Sequence, residues 1–330
     1  SVSHEIKYVD FSKNKELEVF GFFAFADSDI KEIIIPSSVT TIESHCFHCC
    51  HSLEKVEFAE NSQLKIIEDE VFSYSGIKSI IIPPHVTRIK SETFCCCKQL
   101  ESVTFAEGSE LKVIESRAFE DSGIKHLSIP AGAIEFQDGW IDDTPELIDI
   151  KISPDNKVFS NLNDLIILKK SSENGIFDVI AFVSRNCKNV KIPSYIKILE
   201  IGALYSCVNV ESIEFENDSK LELFSDKSFS KSGIEFITIP SHVNHIGKQC
   251  FEDCDKLKKV DFENNSELKT LDEYAFSRSS IESLSIPSSI VKFGDGWCFL
   301  TPKLINITII PNGPENICYF DNKFILGKMD

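Results

Sequence analysis

The chain has 330 residues and a net charge of −18, with 34 Lys and Arg against 52 Asp and Glu, and it carries 26 Phe, 12 Cys and one Met. So acidic a composition excludes a nucleic-acid binder, whose phosphate contacts need clustered Lys and Arg, and argues against binding to an anionic bilayer. No apolar run reaches the roughly 18 residues of a membrane span, so no membrane insertion by this segment is expected, and 42% hydrophobic residues are ample for a core.

In chain order the pattern starts with an apolar anchor at Phe11. Ile-Pro follows at 35–36, 82–83 and 129–130, spaced by 47, and again at 192–193, 239–240 and 286–287, after a gap of 63. Each pair is followed 23 residues after its Ile by Phe58, Phe105, Ile152, Phe215, Phe262 or Ile309. The unit is therefore two turns, of 23 and 24 residues. The turn 36–58 carries Val39, Ile42, Phe47, Leu53, Val56 and Phe58; the turn 59–82 carries Leu64, Ile67, Phe72, Ile77, Ile80 and Ile82. The closing alternation of each turn predicts a strand. Its middle, Glu43 to Phe47 or Glu68 to Phe72, suits one helical turn, too short to stand alone. No turn can bury its own apolar face, so the turns must stack with their strands in parallel. The 13 strand anchors, from Phe11 to Ile309, predict a curved rod about 60–65 Å long at a strand spacing of about 4.8 Å. The predicted fold is a β-rich α/β right-handed parallel solenoid of leucine-rich-repeat type with 23- and 24-residue turns.

Residues 35–154 match 192–311 at an offset of 157. Each copy contains an Asp-Gly-Trp turn, at Phe136–Trp140 and Phe293–Trp297, with Trp in place of the usual Phe and one position early. Two readings are open: a ligand contact, or a modified turn that closes each subarray. Between the copies, two apolar runs in 165–183 flank Asn174-Gly175, a hairpin signal. The expected organisation is a subarray over 1–157, a β-hairpin insertion over 158–188, and a second subarray over 189–330, truncated in another hairpin that starts at 321–326. Ser1 is not an initiator Met and both ends fall inside the repeat, so a segment of a longer protein is expected.

The pattern I-P-S-S-V-x-x-I-x-x-x-C/A-F-x-x-C-x-x-L-x-x-V-x-F resembles the BspA-like leucine-rich-repeat family. Its alternation with N-S-x-L-K-x-I-x-x-x-A-F-x-x-S-G-I, seen at 61–86 and 265–290, is most similar to the surface antigens of trichomonad parasites. Departures are the hairpin, the two Asp-Gly-Trp turns and Leu204 in place of Phe. The resemblance implies a leucine-rich-repeat horseshoe with a parallel sheet on its concave face, and a non-enzymatic module, on the cell surface or secreted, acting in adhesion or antigen display. Its partner would be a protein or glycoprotein on host or neighbouring cells, and the charge of −18 makes basic patches a natural complement. Alternatives are an intracellular scaffold or structural array and, third, a metal-binding or redox protein.

Candidate chemistry is sparse. Cys50, Cys97, Cys207 and Cys254 alternate along the repeat with Ser75, Ser122, Ser232 and Ser279, as small residues of a tight bend do, and Cys46 and Cys250 stand where Ala118 and Ala275 stand elsewhere. The ligand-rich strip 45–51 and Cys95–Cys97 lie two turns apart, roughly 10 Å at strand spacing, too far to share a zinc ion. No metal, no cofactor and no disulfide framework are expected. No catalytic motif is recognisable. Asn217, Asn264 and Asn306 open N-x-S/T sequons, which read either as glycosylation sites or as repeat consensus. The preferred site is the concave face, where two columns of strand residues point outward. Tyr8, Ile34, Ile81, Thr104, Ser128, Phe236 and Thr238 are its candidate protein-binding residues, with Tyr8, Ile34, Ile81 and Phe236 as apolar outliers among small polar neighbours; the bland reading is scattered surface hydrophobes.

Overall fold

Each repeat turn makes two strands, one of four or five residues and one of two. The computed structural model describes residues 8–11, 14–163, 165–310, 317–320 and 324–327, and no helix occurs among them. The chain divides into two compact units, Ser1–Asp164 and Leu165–Asp330, each a stack of parallel β coils.

In the first unit the long strands run Glu32–Ile35, Lys55–Phe58, Ser79–Ile82, Ser102–Phe105, His126–Ile129 and Asp149–Ile152 in one parallel sheet. Their side chains alternate as the sequence demands: Ile33 and Ile35 are buried while Ile34 is exposed. Register holds the columns in line, with Ile33 beside Val56, Ile80 beside Val103 and Leu127 beside Ile150 in the core. The second unit repeats this in two ladders, Asn189–Ile192 with Ser212–Phe215, and Phe236–Ile239 with Lys259–Phe262, Ser283–Pro287 and Asn306–Ile310. At Phe11 no strand forms; its ring instead packs on Phe20 and Phe25, at 5.1 and 6.2 Å, so the anchor serves the core without joining a ladder.

The short strands form further parallel ladders that the apolar pattern did not disclose, two of three strands each in the first unit, because only two residues of each turn join them. Thr41–Ile42 pairs with Val19–Phe20 and with Ile66–Ile67, and Val113–Ile114 with Arg88–Ile89 and Glu135–Phe136. In the second unit, Ile166–Lys170 and Phe177–Val183 pair antiparallel, and the latter strand then pairs in parallel with Ile198–Leu199. The hairpin thus supplies the first strand of that unit's short-strand sheet. At the C-terminal end, Phe324–Gly327 is the return strand of a hairpin with Ile317–Phe320 rather than the start of one.

The predicted helical turn is replaced by a ladder of β-turns. The N–H of Cys46 donates to the Glu43 carbonyl, His48 to His45 and Cys50 to Phe47; the alternate N–H groups of His45, Phe47 and Cys49 donate across to Asp69, Val71 and Ser73 of the next coil. An α-helix would turn every N–H along its own axis and leave the coil above unbonded. The ladder needs positive φ at every fourth residue, here His45 at 59° and Cys49 at 56°. That conformation costs most residues of order 1 kcal/mol, and the cross-coil bonds offset it. In the two Asp-Gly-Trp turns the same position is held by Gly139 and Gly296, at 68° and 60°.

The core is a column of stacked rings. Phe25, Phe47, Phe72, Phe94 and Phe119 follow one another at 5.3 to 5.6 Å with interplanar angles of 6° to 9°. In the second unit Phe229, Phe251 and Phe276 do the same. Each column ends on a tryptophan set edge-on: Phe119 on Trp140 at 77° and Phe276 on Trp297 at 83°. Trp140 is buried and stacks on Phe136, which stacks on Phe159. The Trp turns therefore close the ring columns. The last long strand of the first unit is capped by Asn161, whose amide accepts from Ile152 N–H and donates to Ile150 carbonyl, both at 2.9 Å. It occupies the hydrogen-bonding edge where another strand would add.

Candidate binding surface

On the long-strand sheet every candidate residue with a described side chain faces away from the core. Ile34 and Ile81 are 59% and 62% exposed, against 2% for Ile33 and 3% for Ile80 on the other side of the same strands. Ile34 lies beside Glu57 and Ile81 beside Thr104. Together Ile34 and Ile81 line a groove of about 710 Å³ whose wall is Pro83, Pro84 and His85. A second groove of about 660 Å³ joins Tyr8, also exposed, to Ile34, Glu32 and Lys55. Ser128 is half-buried and sits further along the same sheet, beside Lys151. In the second unit exposed Phe236 and Thr238 line a depression of about 530 Å³ with Glu214, Lys259 and Asp261. Tyr8, Ile34 and Ile81, with Thr104 beside Ile81, thus gather at one place in the first unit and Phe236 and Thr238 at one in the second, while Ser128 stands apart.

Charge on this face is balanced rather than acidic. Lys55 reaches Glu57 at 2.7 Å, and that bond raises the lysine's proton affinity; Lys259 reaches Asp261 at 2.6 Å. Lys258 lies over the Phe236 ring at 5.8 Å. The acidic excess of the chain is therefore carried largely elsewhere, and the expectation of a basic partner draws little from these columns. The sequence reading also missed the Pro83-Pro84-His85 wall. Its signal was legible: Pro84-His85 replaces the Ser37-Ser38 of the first turn.

The cysteines serve the framework. All eleven with described surroundings are free. Cys50 and Cys97 donate to the carbonyls of Phe25 and Phe72 at 2.9 Å and lie against the hydroxyls of Ser28 and Ser75. Cys254 does the same with Phe229 and Ser232. Burial pushes the Cys46, Cys97 and Cys254 thiols up to about 12, so they stay protonated and unreactive at neutral pH. Cys49 and Cys96 are half-buried. The sequon asparagines Asn217, Asn264 and Asn306 are exposed, the first two in turns. Ser219 and Ser266 of the first two sequons are buried and accept the N–H of Leu221 and Leu268, as Ser62 does for Leu64 where no sequon exists. Among the described residues one group gathers potential metal-ligand atoms, His45, His48 and Glu70, and neither Cys95, Cys96 nor Cys97 belongs to it.

Stacked parallel coils with an open, side-chain-studded sheet define a leucine-rich-repeat scaffold, a class that works by binding other proteins. The family model for the BspA-type leucine-rich-repeat region matches in six copies over residues 18–148 and 222–323, more than half of the chain, and the protein belongs to that family. Solved structures share the fold. The pneumococcal vaccine antigen PcpA is 23% identical with a TM-score of 0.66, covering 86% of this chain and 63% of its own. A leucine-rich cell-surface protein of Faecalibacterium prausnitzii is 23% identical at 0.60, covering 87% and 81%. A leucine-rich-repeat protein of Eubacterium ventriosum is 18% identical at 0.62, covering 89% and 70%. The chain thus spans a little under two thirds of PcpA. A search of curated proteins returns no match. No helix among the described residues is long and apolar enough to cross a membrane.

Proposed function

We propose that the protein is a non-enzymatic, surface-exposed binding module that acts in adhesion or antigen display, with the long-strand sheet as its contact face. The observation that carries this reading is the pair of isoleucines held out of the core, Ile34 and Ile81, over one groove. Exposed isoleucine on an otherwise small and polar sheet is costly to leave in water, and a partner's apolar side chain fits such a groove. Two structural relatives, one a vaccine antigen and the other a cell-surface protein, support the same location. Membership of the trichomonad surface-antigen subset and a glycoprotein ligand on host or neighbouring cells are part of this proposal, as is glycosylation at Asn217, Asn264 and Asn306. The test uses fluorescently labelled fragment on intact host cells. Wild type should bind saturably, and Ile34→Asp with Ile81→Asp should abolish binding while the melting temperature stays nearly unchanged. Undiminished binding by the double variant would refute the contact face.

A second reading has its own support. Eleven free cysteines and no disulfide among the described residues suit a reducing compartment, where an intracellular scaffold would work. Antibody labelling of intact and permeabilised source cells separates the two: signal only after permeabilisation selects the scaffold.

A further inference from the structure

We propose that His45, His48 and Glu70 form a binding site for a single Zn²⁺ ion that clips two successive coils together on the turn-ladder face. His45 and His48 belong to one coil and Glu70 to the next. One ligand atom from each lies within 4.8 Å of the others. His45 Nε2 is 3.3 Å from one Glu70 oxygen, and His48 Nδ1 is 3.9 Å from the other. The second distance is too long for a hydrogen bond. The first equals the separation of about 3.3 Å that tetrahedral ligands have around zinc at about 2.0–2.1 Å from each nitrogen or oxygen, and the second exceeds it by about 0.6 Å.

A structural role does not account for His48. Its Nδ1, the atom that faces Glu70, is buried with no hydrogen-bond partner, although polar groups so placed are rarely left unmade; the Nδ1 of His45 is orphaned as well but is not the atom that faces Glu70. Two imidazole nitrogens and one carboxylate match zinc; calcium and magnesium would demand an all-oxygen set. The surroundings also fit. Phe22 and Phe23 lie edge-on and tilted against His45, at 5.6 and 4.8 Å, and Tyr74 covers His48 at 5.6 Å. These rings pack against the two imidazoles. A fourth position, left to water or a partner's side chain, completes the tetrahedron. The side chains are 22% to 31% exposed, so an ion can enter from solvent.

The ligands come from two coils, so a bound ion stabilises the stack by mass action. The experiment uses protein freed of metal by chelation, titrated with Zn²⁺ against a chromogenic chelator and, separately, with Co²⁺ under visible spectroscopy. The expected result is one Zn²⁺ per chain, a rise in melting temperature, and tetrahedral cobalt bands without a thiolate charge-transfer band. His48→Ala and the near-isosteric Glu70→Gln should each weaken zinc by at least about tenfold, the least that loss of even an outer partner costs. Cys49→Ser with Cys96→Ser should leave it unchanged. A thiolate band that disappears in the double serine variant would assign the metal to cysteine and overturn the proposal. Equal affinity in wild type and Glu70→Gln, or no stoichiometric uptake, would overturn it as well.

Discussion

Ile80 and Ile81 are consecutive, chemically identical, and on opposite faces of one strand, so truncating each to alanine isolates the effect of facing. Ile80 is 3% exposed and packed between coils on both sides, with Val103 beside it. A cavity there cannot collapse, because the coils above and below hold the sheet spacing; the expected loss is about 2–5 kcal/mol. Ile81 is 62% exposed, which leaves little more than a third of the side chain covered. Full burial of such a side chain contributes about 1.5–3 kcal/mol, so its truncation should cost about 0.5–1 kcal/mol. The strand-propensity change is common to both variants and cancels in the comparison. Urea unfolding followed by far-ultraviolet circular dichroism measures the difference, expected at about 1 kcal/mol or more in the midpoint-derived stability. The slope must stay constant between variants, since stacked repeats are able to unfold in segments. Equal losses, or a larger loss at Ile81, would show that the strand faces are inverted, and with them the proposed contact surface.

Three further outcomes follow from the framework. A Cβ on Gly123 would stand 2.2 Å from the Lys98 carbonyl oxygen of the preceding coil, and Gly76 meets His51 in the same way; Gly123→Ala should cost about 1–3 kcal/mol by chemical denaturation, and a neutral variant would mean the coils have room to separate. Asn161→Ala removes both bonds that cap the edge strand and should lose about 1–2 kcal/mol. It should also expose a strand edge, seen as self-association in sedimentation. Burial raises the Cys46, Cys97 and Cys254 thiols from 9.0 to about 12, so above pH 9 the unfolded chain sheds protons that the folded chain keeps. Their contribution is therefore complete below pH 9 and is lost as pH rises toward 12, each thiol by at most about 1.4 kcal/mol per pH unit. Stability flat across that window would refute the buried-thiol assignment, and at pH 8 alkylating reagents should reach half-buried Cys49, Cys96 and Cys298 first.

The stacked framework was legible because it repeats. Ile33, Val56, Ile80 and Val103 recur at a fixed spacing and all turn out buried, as do Cys50 and Cys97 in the tight bend. What sequence periodicity misjudged was the segment between them. Glu43–Phe47 has the apolar spacing of one helical turn, but period alone does not reveal where N–H groups point. Half of them bond to the next coil, which forces positive φ at His45 and Cys49. Residues other than glycine at such angles give no sequence warning. The short strand at Thr41–Ile42 was hidden for a related reason: two residues are too few to show an alternation.

The same geometry explains why the histidine cluster escaped the sequence. Residues at the first positive-φ position stack as a column: Phe23, His45, Glu70, Glu92 and Arg117. Its members share a backbone conformation and nothing else, because their side chains lie outside the core and the repeat leaves them free to vary. A search for ligands along the strip 45–51 finds His45 and His48 but cannot find Glu70, which stands 25 residues on and faces them only once the coils are in register. The framework positions are those the repeat conserves, so they announce the fold and carry no individual chemistry. The positions that carry chemistry are those where successive coils differ, and they become readable only down the columns that stacking creates. By that logic Ile34 with Ile81, one column inside the strands, and His45 with Glu70, one column outside them, are the same kind of signal on two faces of the stack.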